Sequence, residues 1–213
     1  MTSPGLRPSL PRPKRGLDPR DFYERYVPEL WRALMHEVAC PPWRFVLEIE
    51  LADAGGPWFF DVQGATLTVT RSSADAPHVR LESDAASYAI AMLEVLPRVL
   101  KHFDAGWREH GHLVERALIT HARELTGATL AAQPGTLTLA YVDDAGDEAR
   151  ATVTLGSGRG PAATLRASDA ELWRLLAGGA RLAQLLTTRI QIGGDVGYVL
   201  RLAHALEGAA QPR

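Results

Sequence analysis

The sequence predicts an α+β protein in which antiparallel hairpins are followed by helices, an order that occurs twice and so makes two tandem units. Three observations carry this. The runs RFVLEIEL, WFFDV and ATLTVT alternate apolar with polar residues and are separated by the turn-forming stretches ADAGGP and QG, which is the pattern of half-buried strands. Apolar residues at spacings of three and four, as in Leu30, Trp31, Leu34, Met35 and Val38, mark helical faces. Beyond residue 128 the runs GTLTLAYV, ARATVTL and AATLRA begin the same order again.

Residues 1–20 carry Arg7, Arg12, Lys14, Arg15 and Arg20 against Asp18, among five prolines. This composition predicts a disordered, basic tail, solvated or in transient contact with an acidic lipid surface. The first unit spans 21–127. Phe22, Tyr23 and Tyr26 are expected in a turn before a helix that Pro28 opens and Pro41 and Pro42 close. Two hairpins then form a small antiparallel meander. Ser83 is the expected cap of a helix through Ala89, Ile90, Leu93 and Leu96, broken or kinked at Pro97, and a further helix is expected from Leu113 to Leu125, with Gly127 as its stop.

The second unit spans 128–208. After the three strands, Ser168 and Glu171 form a capping box that starts a helix carrying Leu172, Leu175 and Leu176 and ending at Gly178 and Gly179. A short apolar segment, Leu182 to Leu186, leads to a strand with Ile190 and Ile192. The strand turns at Gly193, Gly194 and Asp195 into a last helix whose face holds Val196, Val199, Leu200 and Ala203. The triplets DAG (Asp53, Asp144), TVT (Thr68, Thr152) and SDA (Ser83, Ser168) recur in one order, which argues for a duplication. Two unrelated α+β segments remain the alternative, because RIQIGGDVG has no counterpart in the first half.

The 213 residues are 46% hydrophobic and 23% charged, ordinary for a globular protein. A formal charge of -2 argues against a field that gathers nucleic acid. Cys40 is the only cysteine, so neither an internal disulfide nor a cysteine-based zinc site is available. No stretch approaches the roughly 20 apolar residues of a membrane span, the tail lacks the apolar core of a signal peptide, and a cytoplasmic setting is expected.

Few constellations invite chemistry. The group HFDAGWREHGH brings His102, Asp104, Glu109, His110 and His112 together, followed by His121. It would serve a metal-dependent enzyme if its ligands converged, but no HExxH spacing is present, and a polar helix junction accounts for it equally. GSGRGP (156–161) has the glycines of a phosphate loop without the following helix. DDAGDE (143–148) lacks the acid spacing of a calcium loop. No GxSxG elbow occurs. At the glycine-aspartate corner, Asp195 would repel a phosphate from the helix end it caps, so that corner is architecture. No catalytic residue, metal site or cofactor is assigned, and the expectation is a protein that is not an enzyme.

From Gly135 to Leu206 the chain resembles the sterol carrier protein 2 domain. The resemblance rests on Ser168, Asp169, Trp173, Leu176 and Gly178, then Ile190, Ile192, Gly194, Asp195, Leu200 and Leu202. Phe45 to Leu100 resembles it more weakly, as a degenerate copy. The resemblance implies a curved antiparallel sheet with helices over one face, enclosing an apolar tunnel for a lipid, sterol, fatty acyl chain or isoprenoid quinone. The expected ligand contacts are Leu172, Leu175, Leu176, Leu182, Leu185, Leu186, Ile192, Val196 and Val199. The same residues would equally fill a solid core. In that case the chain is an accessory or scaffold protein of lipid or quinone metabolism that holds a partner enzyme.

Overall fold

Alternation along the strands decides the architecture. The computed structural model describes residues 10–35, 44–73, 75–101, 104, 126–171 and 190–208, with side chains as far as Ala203. Its elements are a helix α1 (residues 19–35), strands β1 (Arg44–Leu51), β2 (Gly55–Gln63), β3 (Thr66–Thr70) and β4 (Val79–Ser83), and a helix α2 (residues 85–101). They continue with α3 (Gly127–Ala131), β5 (Gly135–Val142), β6 (Glu148–Leu155), β7 (Ala162–Ser168), β8 (Gln191–Gly194) and α4 (Val196–Gly208). All eight strands form one mixed sheet in the order β3-β2-β1-β4-β6-β5-β7-β8.

The two faces of this sheet differ in chemistry because every strand alternates in register with its neighbours. One row of paired residues runs Trp58, Ile49, Leu81, Val153, Leu137, Ala163 and Gly194 from β2 to β8. The adjacent row on the other face runs Phe59, Glu48, Arg80, Thr154, Thr136 and Ala162. The described helices pack their buried residues on the apolar face. On the polar face the Glu48 carboxylate is buried and accepts from the Arg80 guanidinium at 2.8 Å.

The sheet is mixed where an antiparallel one was expected. In the first half, β4 lies parallel to β1, and in the second, β7 lies parallel to β5. The first half builds an antiparallel meander, β1-β2-β3, and the second a hairpin, β5-β6, and each then returns a strand beside its first member. The halves meet at β4 and β6, antiparallel from Val79↔Leu155 to Glu82↔Thr152. Where β6 outruns β4, its open edge is clipped by α2. The Arg150 N–H donates to Ser87 Oγ at 2.9 Å, and Ser83 Oγ donates to the Arg150 carbonyl at 2.5 Å.

Several local expectations need correction. Helix α1 begins at Pro19, nine residues before Pro28, because Asp18 caps it by accepting from the Asp21 N–H at 3.1 Å. Phe22, Tyr23 and Tyr26 therefore stand on the helix, in a wider π-type turn, Phe22–Tyr26. Residues 10–18, expected in a disordered tail, are held by the core. Leu10 and Leu17 pack against it, and the Tyr26 and Tyr88 hydroxyls donate to the Pro11 and Leu17 carbonyls at 2.9 and 2.8 Å. Ser83 ends β4, and the cap of α2 is Asp84, which accepts from the Ser87 N–H at 2.7 Å. That helix runs past Pro97 to residue 101. It does so after a π-type stretch, Ala89–Val95, a form of helix whose altered bonding accommodates an interrupted ladder. Gly127 starts a helix instead of ending one, since Thr126 caps it by accepting from the Thr129 N–H at 3.1 Å. The stretch from Leu113 to Leu125 lies outside the described residues.

The first half is filled by aromatics. Phe22 and Tyr23 of α1 lie edge-on at 5.1 Å, Tyr23 stands 4.8 Å from Trp58, and Tyr88 of α2 is 5.4 Å from Phe22. Trp58 is fully buried and donates its indole N–H to Glu24 at 3.3 Å, while the Arg71 guanidinium lies 4.4 Å above its ring. Each such ring pair adds about 0.5–1.5 kcal/mol beyond its area.

Candidate functional site

The second half builds the same apolar face from smaller residues. Across β6, β5, β7 and β8 one row reads Ala151, Leu139, Leu165 and Ile192, and the row beside it Ala149, Tyr141 and Ala167. Rows in the corresponding part of the first half carry Trp58 and Phe60. Among the described residues the second core contains one fully buried aromatic, Tyr198.

Helix α4 covers one end of this face. Asp195 caps it by accepting from the Tyr198 N–H at 2.7 Å. Residues Tyr198, Val199, Leu202 and Ala203 point inward and are buried with Leu130, Leu137, Leu155 and Ala163. Tyr198 lies directly over Gly135, where a methyl group would meet the ring at 2.7 Å. The corner before α4 requires one of its two glycines: Gly194 has φ +77°, whereas Gly193 has ordinary space around it.

The other end is closed by a polar trio. Tyr141 projects from β5 on the apolar face and donates its hydroxyl to Asp169, and Arg98 of α2 donates to the same carboxylate at 2.6 Å. The Asp169 side chain is 8% exposed and that of Arg98 is 48% exposed, so a buried anion is paired with a cation at the surface. Asp169 directly follows the capping box expected at Ser168, whose N–H donates to Glu171 at 3.0 Å. Burial, and then the bond to the Asp169 carboxylate, pushes the Tyr141 hydroxyl up to about 12. The hydrogen bond to Asp169 raises the Arg98 guanidinium above its usual value.

Between these ends the floor is less covered. Along β5 on this face, Leu137 is 8% exposed and Leu139 is 38% exposed, while Ala149, paired with Tyr141, and Asp169, bonded to it, are buried. Among the described residues this stretch lies between Tyr198 at one end and the Tyr141–Asp169–Arg98 trio at the other. Chemically it offers apolar surface ending in one neutral hydroxyl and one ion pair.

Of the expected ligand contacts, Ile192 stands on this floor and packs partly buried against the second core. Val199 is buried within that core. Val196 is 46% exposed and, with Leu200, occupies the outer side of α4. The inward stripe runs through 198, 199, 202 and 203, which leaves 196 and 200 facing away. Leu172, Leu175, Leu176, Leu182, Leu185 and Leu186 lie outside the described residues, as do His102, Glu109, His110, His112 and His121. Asp104 is described and is bound to the Leu10 N–H and to Arg12, both at 3.2 Å. No group of three or more metal-ligating side chains occurs among the described residues. No described helix is long and apolar enough to cross a membrane.

The sequence reading passed over Leu139, Tyr141 and Arg98. The alternation in GTLTLAYV already places Leu137, Leu139 and Tyr141 on one face. Nothing local could find Arg98, which lies 71 residues from its partner Asp169.

Comparison with known proteins gives one solved structure similar to this chain, sterol carrier protein 2 from Yarrowia lipolytica in its apo form. It is 20% identical, spans 40% of this chain and 76% of its own, and has a TM-score of 0.29. No family model matches the chain, and neither does any curated protein.

Proposed function

We propose that this chain binds a hydrophobic small molecule of lipid, sterol, fatty acyl or isoprenoid quinone type on the apolar face of its second half, and performs no chemistry on it. The observation that carries this is the contrast between the halves. The same sheet face that the first half fills with Trp58, Phe60 and helix aromatics is laid in the second with Ala149, Ala151, Ala163 and Ala167, and it leaves Leu139 38% exposed. Close packing is the norm in protein interiors, and small-molecule sites are lined mainly by apolar side chains with a few placed polar groups, as Leu139, Leu165 and Ile192 stand here beside Tyr141 and the Arg98–Asp169 pair. The driving force is apolar area removed from water, roughly 25 cal/mol per Å².

The recurring hairpin and parallel strand support reading the chain as a duplicated unit whose first copy has closed around its own side chains. Ile192 is part of the proposed site, with the leucines from 172 to 186 added by their sequence pattern alone. Two measurements test the proposal: extraction of apolar molecules from purified protein followed by mass spectrometry, and saturable binding of N-phenylnaphthylamine. Leu139→Arg should abolish both while leaving the fold intact. A wild-type protein that carries no apolar molecule and shows no saturable probe binding overturns the proposal.

A further inference from the structure

The wall at one end of this apolar floor comes from the other half of the protein. Tyr141 and Asp169 belong to the second half, but Arg98 comes from α2, the helix whose neighbouring residues Met92, Leu93, Leu96 and Leu100 pack into the first core. Helix α2 is thus fastened to the first core along one side and to Asp169 at Arg98. At the opposite end the floor stops under Tyr198, seated on Gly135. The exposed stretch lies between, centred on Leu139. From Leu137 to Tyr141 is four residues of strand, or about 13 Å.

Resting on the binding function proposed above, we infer that Arg98 is a positioning residue that sets the length of ligand the second half accepts. The Arg98–Asp169 pair holds α2 and the Tyr141 ring across the end of the floor. A ligand that outgrows the distance from Tyr198 to Tyr141 meets this wall. The first half, closed to ligand itself, determines the specificity of the second. The carboxylate has 8% exposure and two different donors, so its geometry is defined from both sides: Tyr141 fixes one oxygen and Arg98 the other. Removing Arg98 takes one of these two donors from Asp169, and the side chain that spans from α2 to the floor is gone.

The test is displacement of N-phenylnaphthylamine by straight-chain alcohols from octanol to hexadecanol, which differ only in length and carry no charge. In the wild-type protein affinity should rise roughly fourfold per added methylene up to a cut-off and then fall. In Arg98→Gln the cut-off should move to longer chains by two carbons or more, with at least tenfold tighter binding of alcohols beyond the wild-type limit and unchanged binding of shorter ones. Arg98→Lys, which keeps a cation opposite Asp169, should restore the wild-type cut-off. A merely structural role would weaken all lengths alike or lower only the melting temperature, and either result overturns the inference. An unchanged cut-off in Arg98→Gln overturns it too while the binding function stands. Failure of every alcohol and of the probe itself to bind the wild-type protein removes the binding function, and this inference with it.

Discussion

Replacing Gly194 with alanine, beside the same change at Gly193, tests whether the corner between β8 and α4 is built by one residue or by two. At Gly194 φ is +77°, and a Cβ placed there would stand 2.5 Å from the Ala162 carbonyl oxygen. The left-handed conformation costs an alanine about 1–2 kcal/mol. The contact cannot be relieved by a rotamer change, since the obstructing atom is backbone. That carbonyl also accepts the Asp195 N–H at 3.0 Å, so moving it loosens a bond worth about 1 kcal/mol. Together these give a loss of about 2–3 kcal/mol, or roughly 4–12 °C in melting temperature for a domain of this size. At Gly193 the nearest atom to an added Cβ is Thr164 Cβ at 3.7 Å, ordinary contact, and φ is outside the left-handed region. Gly193→Ala should therefore change stability by less than about 0.5 kcal/mol. Urea unfolding followed by the fluorescence of the chain's five tryptophans measures both. Equal losses at the two positions, or a Gly194→Ala protein as stable as wild type, would refute the reasoning.

Two further outcomes follow from the cores. Trp58→Ala should cost about 3–5 kcal/mol, because the indole is fully buried against Tyr23 and anchors Glu24; thermal unfolding checks it, and a loss below 1 kcal/mol counts against the packed first core. All five tyrosines are pushed above their ordinary value by burial, Tyr141 to about 12. The folded state keeps phenolic protons that the unfolded state gives up near pH 10. This contribution to stability is complete below about pH 10 and is lost as pH rises through the raised folded values, for Tyr141 through about 12. Phenolate absorbance should stay low up to about pH 11 and then jump together with loss of the circular dichroism signal. Smooth titration near pH 10 with the fold intact would contradict the burial of these rings.

Much of the local structure is legible in the chain. Alternation in RFVLEIEL, WFFDV, GTLTLAYV and ARATVTL marks β1, β2, β5 and β6, and the Ser168–Glu171 box and the Asp195 cap lie where their side chains demand. Strand β4, which the local pattern does not mark, is five residues with one arginine, one glutamate and one serine, and its apolar content is only Val79 and Leu81. Its strand character comes from being paired on both sides, by β1 and β6. Helix α1 starts early for a related reason. A cap at Asp18 and three rings needed by the first core outweigh the proline at 28 as a starting signal.

By itself the sequence determined which residues alternate, which cap, and therefore which face of each strand is apolar, because these depend on neighbours one to four positions away. Only the tertiary structure decided that both halves share one sheet through β4 and β6, that β4 runs parallel to β1 and β7 parallel to β5, and that Arg98 pairs with Asp169, 71 residues later in the chain. Pairing of strands and placement of an ion pair are settled by which surfaces remain unburied once the local elements exist. No short window of sequence holds that information.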